Sequence, residues 1–404
     1  MVKIAIMGFG TVGSGVAEVL ETNAERIQKN AATPFDVKYI MDIRDFSGHR
    51  YEDKFIKDFS IIENDPEVSV VVETIGGTGL AYDFTKRALL AGKSVVTSNK
   101  ELVATHGSEL LALAKEKNLN YLFEASVGGG IPIIRPISQC LAANEIDEIY
   151  GILNGTSNYV LTQMIQNGLT LDTAVKQAQE KGYAEADPTA DIGGSDACRK
   201  ICILSSLSFG RHIYPQQVPT EGITCVTLED VNNARNKGYK IKHLGRAVRM
   251  ADGKIASYVS PHLVRCDGLL ANVEGVYNAI VVRGNAIGDV MFYGPGAGKL
   301  PTASAVVADI IDCAKHFTAR KHIDWKEGGD FIAADPDELE SCWYVRAAVT
   351  AAKAQELLGE IQIITSGEDT SDGCIAFTTA KMSLNKARAK FEALNTASAF
   401  RLLD

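Results

Sequence analysis

The sequence predicts an α/β protein whose N-terminal doubly wound parallel sheet is followed by an α+β domain and a small βαββαβ module. Apolar strands alternate with helices over the first 130 residues, which is typical of a parallel sheet. Three strand-like runs follow closely between 241 and 282, which indicates an antiparallel or mixed sheet. Strand and helix patterns in 341–404 have the order of a ferredoxin-like module.

The N-terminal elements follow from apolar runs and helical spacing. Strands are predicted at 2–7, 35–43, 68–73, 94–97 and 121–125, with helices at 11–29, 82–91 and 102–119. A long helix at 301–314 is placed in the chain so that it can return to this sheet. We therefore expect residues 1–130 and 300–318 to form one domain.

The second domain is expected to span 131–299 and to combine helices with closely spaced strands. Helices are predicted at 131–140, 158–167, 171–181 and 195–210, and strands at 147–154, 243–251, 255–263 and 275–282. The third domain, 341–404, is predicted to contain strands at 342–349, 361–366, 374–379 and 399–403 and helices at 351–359 and 384–394.

Composition excludes several classes of protein. The chain has 404 residues, of which 46% are hydrophobic and 23% charged, as in ordinary globular domains. A net charge of −9 argues against non-specific binding to nucleic acid or to anionic membranes. No apolar run approaches the roughly 18 residues of a membrane span, and the N-terminus lacks a signal-peptide layout. The eight cysteines form no CxxC pair. We therefore expect a cytoplasmic protein with reduced thiols.

A glycine motif marks the end of the first strand. Its residues Gly8, Phe9, Gly10, Thr11, Val12 and Gly13 fit GxGxxG between a strand and a helix, the context of a dinucleotide site. The first glycine permits a tight turn, the second lets the backbone approach a pyrophosphate, and the third permits close packing of helix and strand. N–H groups at the helix start can bind the anion. The pattern predicts a Rossmann-type sheet that binds NAD or NADP.

The end of the second strand leaves the choice of coenzyme open. An acid such as Asp42 would accept hydrogen bonds from the ribose hydroxyl of NAD, whereas Arg44 would pair with the 2′-phosphate of NADP. Arg44 lies nearest the end of the strand, and Lys57 is a possible second cation. The sequence therefore favours NADP, although either residue could be an ordinary surface charge.

Polar or glycine-rich segments follow three other strands, at the sheet edge where open α/β sheets bind ligands. These segments are 73–77, 97–100 and 124–131. Lys100 could face the substrate or the nicotinamide, or it could be an exposed lysine at a helix start. Carbonyl groups of the 124–131 loop could coordinate a hard monovalent cation, or the loop could be a hinge between domains.

Two charged residues on an apolar helix form the main candidate for proton transfer. A loop with three carboxylates, 182–191, precedes a helix for which Ser195 is a good N-cap. Asp196 and Lys200 are four residues apart and share one face of this helix. Burial favours the neutral amine, whereas the acidic neighbour favours the protonated form. The balance between these two effects suits Lys200 to general acid–base chemistry. The alternative is an exposed ion pair, worth only a few tenths of a kcal/mol.

Seven segments together resemble the homoserine dehydrogenase family and occur in the family's order. They are GFGTVGSGV, VVVETIGG, VVTSNKELVA, FEASVGGGIPII, GILNGTSNYVLTQM, GYAEADPTADIGGSDACRKICILS and YGPGAGKLPTASAVVAD, and the resemblance covers about 1–320. It implies reversible NAD(P)-dependent interconversion of L-homoserine and L-aspartate 4-semialdehyde, which belongs to threonine, methionine and isoleucine biosynthesis.

The resemblance also implies a role for individual residues. Its acid–base and second site lysines match Lys200 and Lys100, and its substrate carboxylates match Glu185 and Asp196, with Asp191 nearby. Besides the glycine motif, Arg44 and Lys100, it implies cofactor contacts at Gly76, Gly182 and Gly298. Its monovalent cation (Na⁺ or K⁺) would be held by main-chain oxygens of Glu124, Val127, Gly129 and Ile131. A homodimer or tetramer is the family expectation.

The C-terminal module resembles an ACT regulatory module in its element order. Where that module usually carries an Asp-Lys-Pro-Gly effector loop, this chain has Val349-Thr350-Ala351-Ala352-Lys353, which argues against threonine feedback. Two other functions are alternatives. Segments 154–158 and 182–200 argue against a related semialdehyde oxidoreductase, and the two lysines and the loop carboxylates argue against a non-catalytic dinucleotide sensor.

Overall fold

The computed structural model describes residues 1–319, 323–366 and 373–403, and the chain divides into two compact units. The first unit comprises Met1–Ile146, Cys202–Pro215 and Gly284–Gly329. The second comprises Asp147–Ile201, Gln216–Arg283 and Asp330–Asp404. The domain bounds expected from the sequence stay predictions.

A parallel six-stranded sheet forms the first unit and confirms the predicted fold class. Its strands, in spatial order, are Phe55–Ile56, Phe35–Met41, Val2–Met7, Val68–Glu73, Ser94–Thr97 and Tyr121–Leu122. Met7 lies opposite both Met41 and Glu73, so the carboxyl ends of three strands meet at one edge. The edge strand Phe55–Ile56 was not predicted, because a two-residue strand has no periodicity to detect.

Helices accompany these strands, and they differ from the prediction in several places; Phe59–Asn64, for example, was not predicted. The helices of this unit are Thr11–Thr22, Ala24–Ala31, Phe59–Asn64, Gly79–Leu90, Lys100–Glu116 and Lys299–Lys315. The helix predicted at 11–29 is broken at Asn23, whose N–H bonds back to the carbonyls of Glu21 and Val19. The helix predicted at 131–140 is reduced to a π-helical turn, Pro136–Cys140, since Pro132 and Pro136 lack N–H groups and disfavour helix before them.

The second unit contains a mixed sheet. Its strands, in spatial order, are Tyr277–Gly284, Ile146–Ile152, Tyr239–Arg249, Ile255–Arg265, Thr396–Leu402, Trp343–Ala347, Ile375–Thr379 and Ile361–Thr365. The helices are Gly155–Asn167, Leu171–Glu180, Thr189–Ile192, Leu228–Asn236, Ala351–Leu358 and Leu384–Ala393, together with the start of Ser195–Phe209. The strand Gly288–Pro295 in the first unit was not predicted.

The βαββαβ order of the C-terminal segment is confirmed, and its sheet continues the sheet of the second unit. Arg401 and Leu402 pair in parallel with His262 and Leu263. A fully buried carboxylate, that of Asp230, also joins the two parts: it accepts hydrogen bonds from three C-terminal side chains, Tyr344 (2.9 Å), Arg346 (2.8 Å) and Ser398 (3.0 Å). A buried charge requires such partners, so this network fixes the C-terminal segment against helix Leu228–Asn236.

Across the part of the chain that the structure describes, we find no helix with the length and apolar character needed to cross a membrane.

The glycine loop after the first strand depends on the absence of side chains at two positions. Gly8 has a φ of +90°, which L side chains rarely adopt. A Cβ on Gly13 would lie 1.9 Å from the carbonyl oxygen of Gly8, so the helix can approach the strand only through glycine. A Cβ on Gly10 would meet no atom within 4 Å. The second glycine therefore leaves open space above the loop.

We expect Gly13→Ala to destabilise the protein and Gly10→Ala to leave its stability unchanged. The added methyl at position 13 must displace backbone, a change that typically costs about 1–3 kcal/mol, whereas the methyl at position 10 meets no neighbour. Thermal unfolding of the two variants measures the difference. Equal melting temperatures would contradict this account of the loop.

Candidate active site

The glycine loop forms an open turn at the start of helix Thr11–Thr22. Gly10 is the N-cap and has no side chain with which to cap the helix. Phe9 is buried and packs edge-on against the rings of Phe46 and Phe55, which fixes the loop. A helix start of this kind presents N–H groups to an anion. The space above Gly10 is open, because a Cβ there would meet no atom within 4 Å. A loop without a side chain at this point suits the pyrophosphate of a dinucleotide.

The two residues that bear on the choice of coenzyme are bonded to each other. The Asp42 carboxylate accepts hydrogen bonds from the Phe9 N–H (2.7 Å) and from Arg44 Nε (3.0 Å) and Nη2 (2.8 Å). These bonds to Arg44 hold the pKa of Asp42 well below its usual value. The Arg44 side chain is 56% exposed, and its guanidinium lies over the Phe46 ring. Asp42 thus connects the glycine loop to the Arg44 guanidinium, which remains accessible to solvent.

A buried acid shapes the next turn at the same edge of the sheet. The Glu73 carboxylate accepts hydrogen bonds from the Thr97 hydroxyl and from the N–H groups of Ile75 and Gly76. Burial raises the pKa of Glu73 despite these bonds. Gly76 is exposed and has a φ of +88°. The sequence placed segment 73–77 at the ligand-binding edge of the sheet but did not show that the Glu73 side chain holds the turn there.

Lys100 is placed at the start of its helix by the preceding residue. The Asn99 side chain accepts a hydrogen bond from the Leu102 N–H (3.1 Å) and donates one to the Gly77 carbonyl (2.7 Å). It therefore caps helix Lys100–Glu116 and links it to the turn after Glu73. Lys100 is half-buried there.

The loop predicted to bind a cation is held by a buried charge cluster. The Glu124 carboxylate accepts hydrogen bonds from the N–H groups of Ile133 (2.6 Å), Ile134 (2.8 Å) and Arg135 (2.9 Å). Asp309 accepts hydrogen bonds from the Glu124 N–H (2.8 Å) and from the Arg135 guanidinium (2.7 Å), and burial raises the pKa of Asp309. The Glu124 carboxylate is thus engaged by backbone N–H groups and by the Arg135 guanidinium.

Main-chain oxygens are therefore the donors that this loop can offer to a cation. Val127 and Ile131 are buried, and Gly129 has a φ of +57° where it passes close to the Gly296 carbonyl. Carbonyl oxygens are ligands suited to hard monovalent ions. Within residues 1–319, 323–366 and 373–403, no group of three or more His, Cys, Asp or Glu side chains is arranged to hold a metal ion.

In the second unit, Lys200 is buried and hydrogen-bonded at the end of a strand. Its side chain is 9% exposed, and Nζ donates to Asp196 Oδ2 at 2.8 Å and to the Leu153 carbonyl at 2.7 Å. Leu153 directly follows strand Ile146–Ile152. The alternative of a solvated ion pair on a helix surface is therefore wrong for Lys200 and Asp196.

Asn154 joins two of the predicted substrate carboxylates and was missing from the predicted site. Its amide nitrogen lies 2.7 Å from Asp191 Oδ1 and 2.9 Å from Asp196 Oδ2. Asp191 is half-buried, and this burial raises its pKa. An asparagine before Gly-Thr-Ser is a recognisable helix N-cap, but its contacts with residues about 40 positions away leave no local signal.

The remaining predicted contacts lie on exposed backbone. Glu185 is exposed, and its carboxylate is not hydrogen-bonded to Lys200, Asp191 or Asp196. Gly182 follows helix Leu171–Glu180 with a φ of +72°, and Gly298 is the N-cap of helix Lys299–Lys315 with a φ of +125°. The structure thus brings together Lys200, Asp196 and Asp191 but does not add Glu185 to them.

Two protein-family models match the chain. Residues 8–124 match the NAD-binding domain of homoserine dehydrogenase, and residues 132–311 match homoserine dehydrogenase itself. These two regions include the glycine loop and the Lys200 group. A nicotinamide dinucleotide is accordingly the cofactor of the family, which agrees with the open turn at Gly10.

Curated relatives and solved structures give the same result. The homoserine dehydrogenases of Pseudomonas aeruginosa and Neisseria gonorrhoeae are 41% and 40% identical, over 90% and 94% of this chain and 85% and 90% of their own. The crystal structure of the Thiobacillus denitrificans enzyme superposes with a TM-score of 0.90 at 36% identity, covering 100% of this chain and 98% of that one. A hyperthermophilic archaeal homoserine dehydrogenase in complex with NADPH has a TM-score of 0.65 at 32% identity, covering 77% and 97%. The chain therefore belongs to the homoserine dehydrogenase family.

Proposed function

We propose that this chain interconverts L-homoserine and L-aspartate 4-semialdehyde with Lys200 as the acid–base group. The observation that carries the proposal is the buried amine of Lys200, held between Asp196 and the Leu153 carbonyl. When bound, a nicotinamide dinucleotide supplies the hydride chemistry. The chain's own residues must then bind the substrate and move one proton at its hydroxyl oxygen.

Two hydrogen-bond acceptors already engage Lys200 Nζ, which leaves one position on the nitrogen for proton transfer. A neutral amine has two N–H groups, which Asp196 and Leu153 would occupy, so its lone pair is free to accept the hydroxyl proton of homoserine. A protonated amine has a third N–H, which can donate to the developing alkoxide during reduction of the semialdehyde. The same two contacts therefore serve both directions of the reaction.

Carboxylates near this amine suit the ammonium group of the substrate. Asp191 and Asp196 both accept hydrogen bonds from the Asn154 amide. Glu185 is exposed on the preceding loop, where a ligand can reach it. We assign substrate binding to these three acids. Lys100 at its capped helix start, together with Gly76, Gly182 and Gly298, stays a proposed contact for substrate or cofactor.

We expect Lys200→Met to lower kcat for homoserine oxidation by roughly 10²- to 10⁴-fold, the range for loss of a general acid–base group. Binding of NADPH, measured by its fluorescence, is expected to be unchanged because the dinucleotide loop is not altered. Lys176→Met, an exposed lysine on helix Leu171–Glu180, is the control and should retain activity. Turnover of the Lys200 variant at the wild-type rate would contradict the assignment.

NADP is the proposed coenzyme, since Arg44 is exposed and close to the expected ribose site. Asp42 neutralises part of its charge but leaves guanidinium N–H groups for a 2′-phosphate. We expect Arg44→Ala to raise KM for NADP by about ten- to a hundredfold, as for loss of hydrogen bonds to a charged group, and to leave KM for NAD nearly unchanged.

Arg50→Ala provides a matched control for this test. Arg50 is also 56% exposed and lies on the same segment, but it pairs with Glu21. An equal loss for both coenzymes in the Arg44 variant, measured at 340 nm, would show that Arg44 does not select the coenzyme.

We also propose that main-chain oxygens of Glu124, Val127, Gly129 and Ile131 hold Na⁺ or K⁺, which would supply positive charge for a developing alkoxide. Support comes from the buried loop and from the engagement of the Glu124 carboxylate by the backbone N–H groups. NaCl or KCl should then raise the melting temperature above that in choline chloride of the same ionic strength. Identical melting temperatures in the three salts would contradict a cation site.

The homodimer or tetramer and the cytoplasmic location stay predictions. Light scattering of the purified chain would give its molecular mass and test the first of them.

A further inference from the structure

We propose that Asn154 is a positioning residue that sets the geometry of Lys200 and of the substrate carboxylates. The proposal deepens the function above and rests on it. The Asn154 amide nitrogen donates one hydrogen bond to Asp191 Oδ1 (2.7 Å) and one to Asp196 Oδ2 (2.9 Å). Asp196 Oδ2 is also the oxygen that accepts from Lys200 Nζ at 2.8 Å. One amide group therefore touches both acids and acts on the amine through one of them.

The orientation of this amide is determined by its partners. Asn154 Oδ1 accepts a hydrogen bond from the Ser157 N–H at 2.7 Å, which makes Asn154 the N-cap of helix Gly155–Asn167. An N–H cannot accept and carboxylates have no proton to donate when ionised, so oxygen must face the helix and nitrogen must face the acids. The two amide hydrogens then match the two carboxylates, with one hydrogen for each.

The backbone at the same point completes the contact. Leu153, immediately before Asn154, provides the carbonyl that accepts the second hydrogen bond of Lys200. One short segment between a strand and a helix thus contacts the amine directly and both carboxylates through a side chain. Any shift of Asn154 would therefore move the amine and its acidic partner relative to each other.

Asn154 also places a neutral donor between the two acids. The titratable groups around Lys200 are Asp196 on its own helix, Asp191 on helix Thr189–Ile192, and His243, which faces Asp196 from the sheet. His243 is fully buried, its burial lowers its pKa to about 4, and it bonds to the Glu221 carbonyl. Because the histidine is neutral near pH 7, repulsion between the two acids is offset by the Asn154 amide together with the Thr156 side chain and Lys200.

Two substitutions separate positioning from a purely structural role. Asn154→Ala removes both donors, and we expect kcat/KM for homoserine oxidation to fall about ten- to a hundredfold while the Kd of NADPH is unchanged. Asn154→Asp keeps the shape of the side chain but puts a third carboxyl group beside Asp191 and Asp196. Carboxyl groups in direct contact cannot all be ionised, so the new group should bind a proton and lose it only at higher pH, and the pH profile of kcat/KM should shift relative to that of the wild type.

Asn158→Ala is the matched control. Asn158 is a buried asparagine on the same helix, but its amide donates to the carbonyls of Val273, Gly275 and Tyr277 and not to the acids. We expect this variant to lower the melting temperature as much as Asn154→Ala, or more, without moving the pH profile. If Asn154→Ala does not fold, the pH profile of Asn154→Asp decides the question.

The outcomes distinguish this inference from the proposed function. An active wild-type enzyme whose Asn154→Asp variant has an unshifted pH profile, or whose Asn154→Ala variant retains kcat/KM, would overturn the role of Asn154 alone. A folded wild-type protein that turns over neither homoserine nor the semialdehyde would overturn the proposed function and this role with it.

Discussion

A buried primary amine that must be satisfied by hydrogen bonds is the constraint on which the candidate site in the second unit depends. Moving Lys200 from water into the protein interior is costly unless its charge and N–H groups are matched. The match requires Asp196 one helical turn earlier and the Leu153 carbonyl from another element. The end of strand Ile146–Ile152 and the start of helix Ser195–Phe209 must therefore meet at this point, and the requirements of the amine link the local fold to the proposed chemistry.

The first unit is organised around a different constraint, namely room for a ligand at the carboxyl ends of its strands. Gly13 lets a helix approach the first strand, and Asp42 ties the loop to the second strand through the Phe9 N–H. Glu73 fixes the turn after strand Val68–Glu73 by accepting hydrogen bonds from two backbone N–H groups. Asp42 and Glu73 thus use their carboxylates to hold backbone N–H groups of the turns at this edge.

The sequence predicted those parts of the fold whose signals are local. Valine-rich strands, the glycine motif and the elements of the βαββαβ module can each be recognised from a short stretch of sequence. The structure confirms the α/β class and the parallel sheet. The partly exposed strand Gly288–Pro295 has no regular alternation of buried and exposed residues, so its sequence resembles a loop. Helix Leu228–Asn236 was also missed, although Thr227 and Asp230 form a capping box, because its sequence is mostly polar and Asp230 bonds to side chains more than 100 positions away.

The same distinction applies to the site. The i,i+4 spacing of Asp196 and Lys200 could be read directly, but only the fold shows that the pair is buried. Asn154 reaches residues 37 and 42 positions away, and Asp42 bonds to Phe9 across 33 positions, so neither contact has a signature in the sequence. Long-range polar contacts of buried side chains are thus the part that sequence reasoning could not supply.

Chemical rescue of a Lys200→Ala enzyme by small primary amines tests the central claim most directly. If the Lys200 amine transfers the hydroxyl proton, added amines that fit the vacated space should restore homoserine oxidation, with a rate that rises with the basicity of the amine. Saturating homoserine and coenzyme would keep binding effects out of the measured rate. Folded variant protein that binds NADPH but shows no rescue by any amine, or a rescue independent of basicity, would contradict the account.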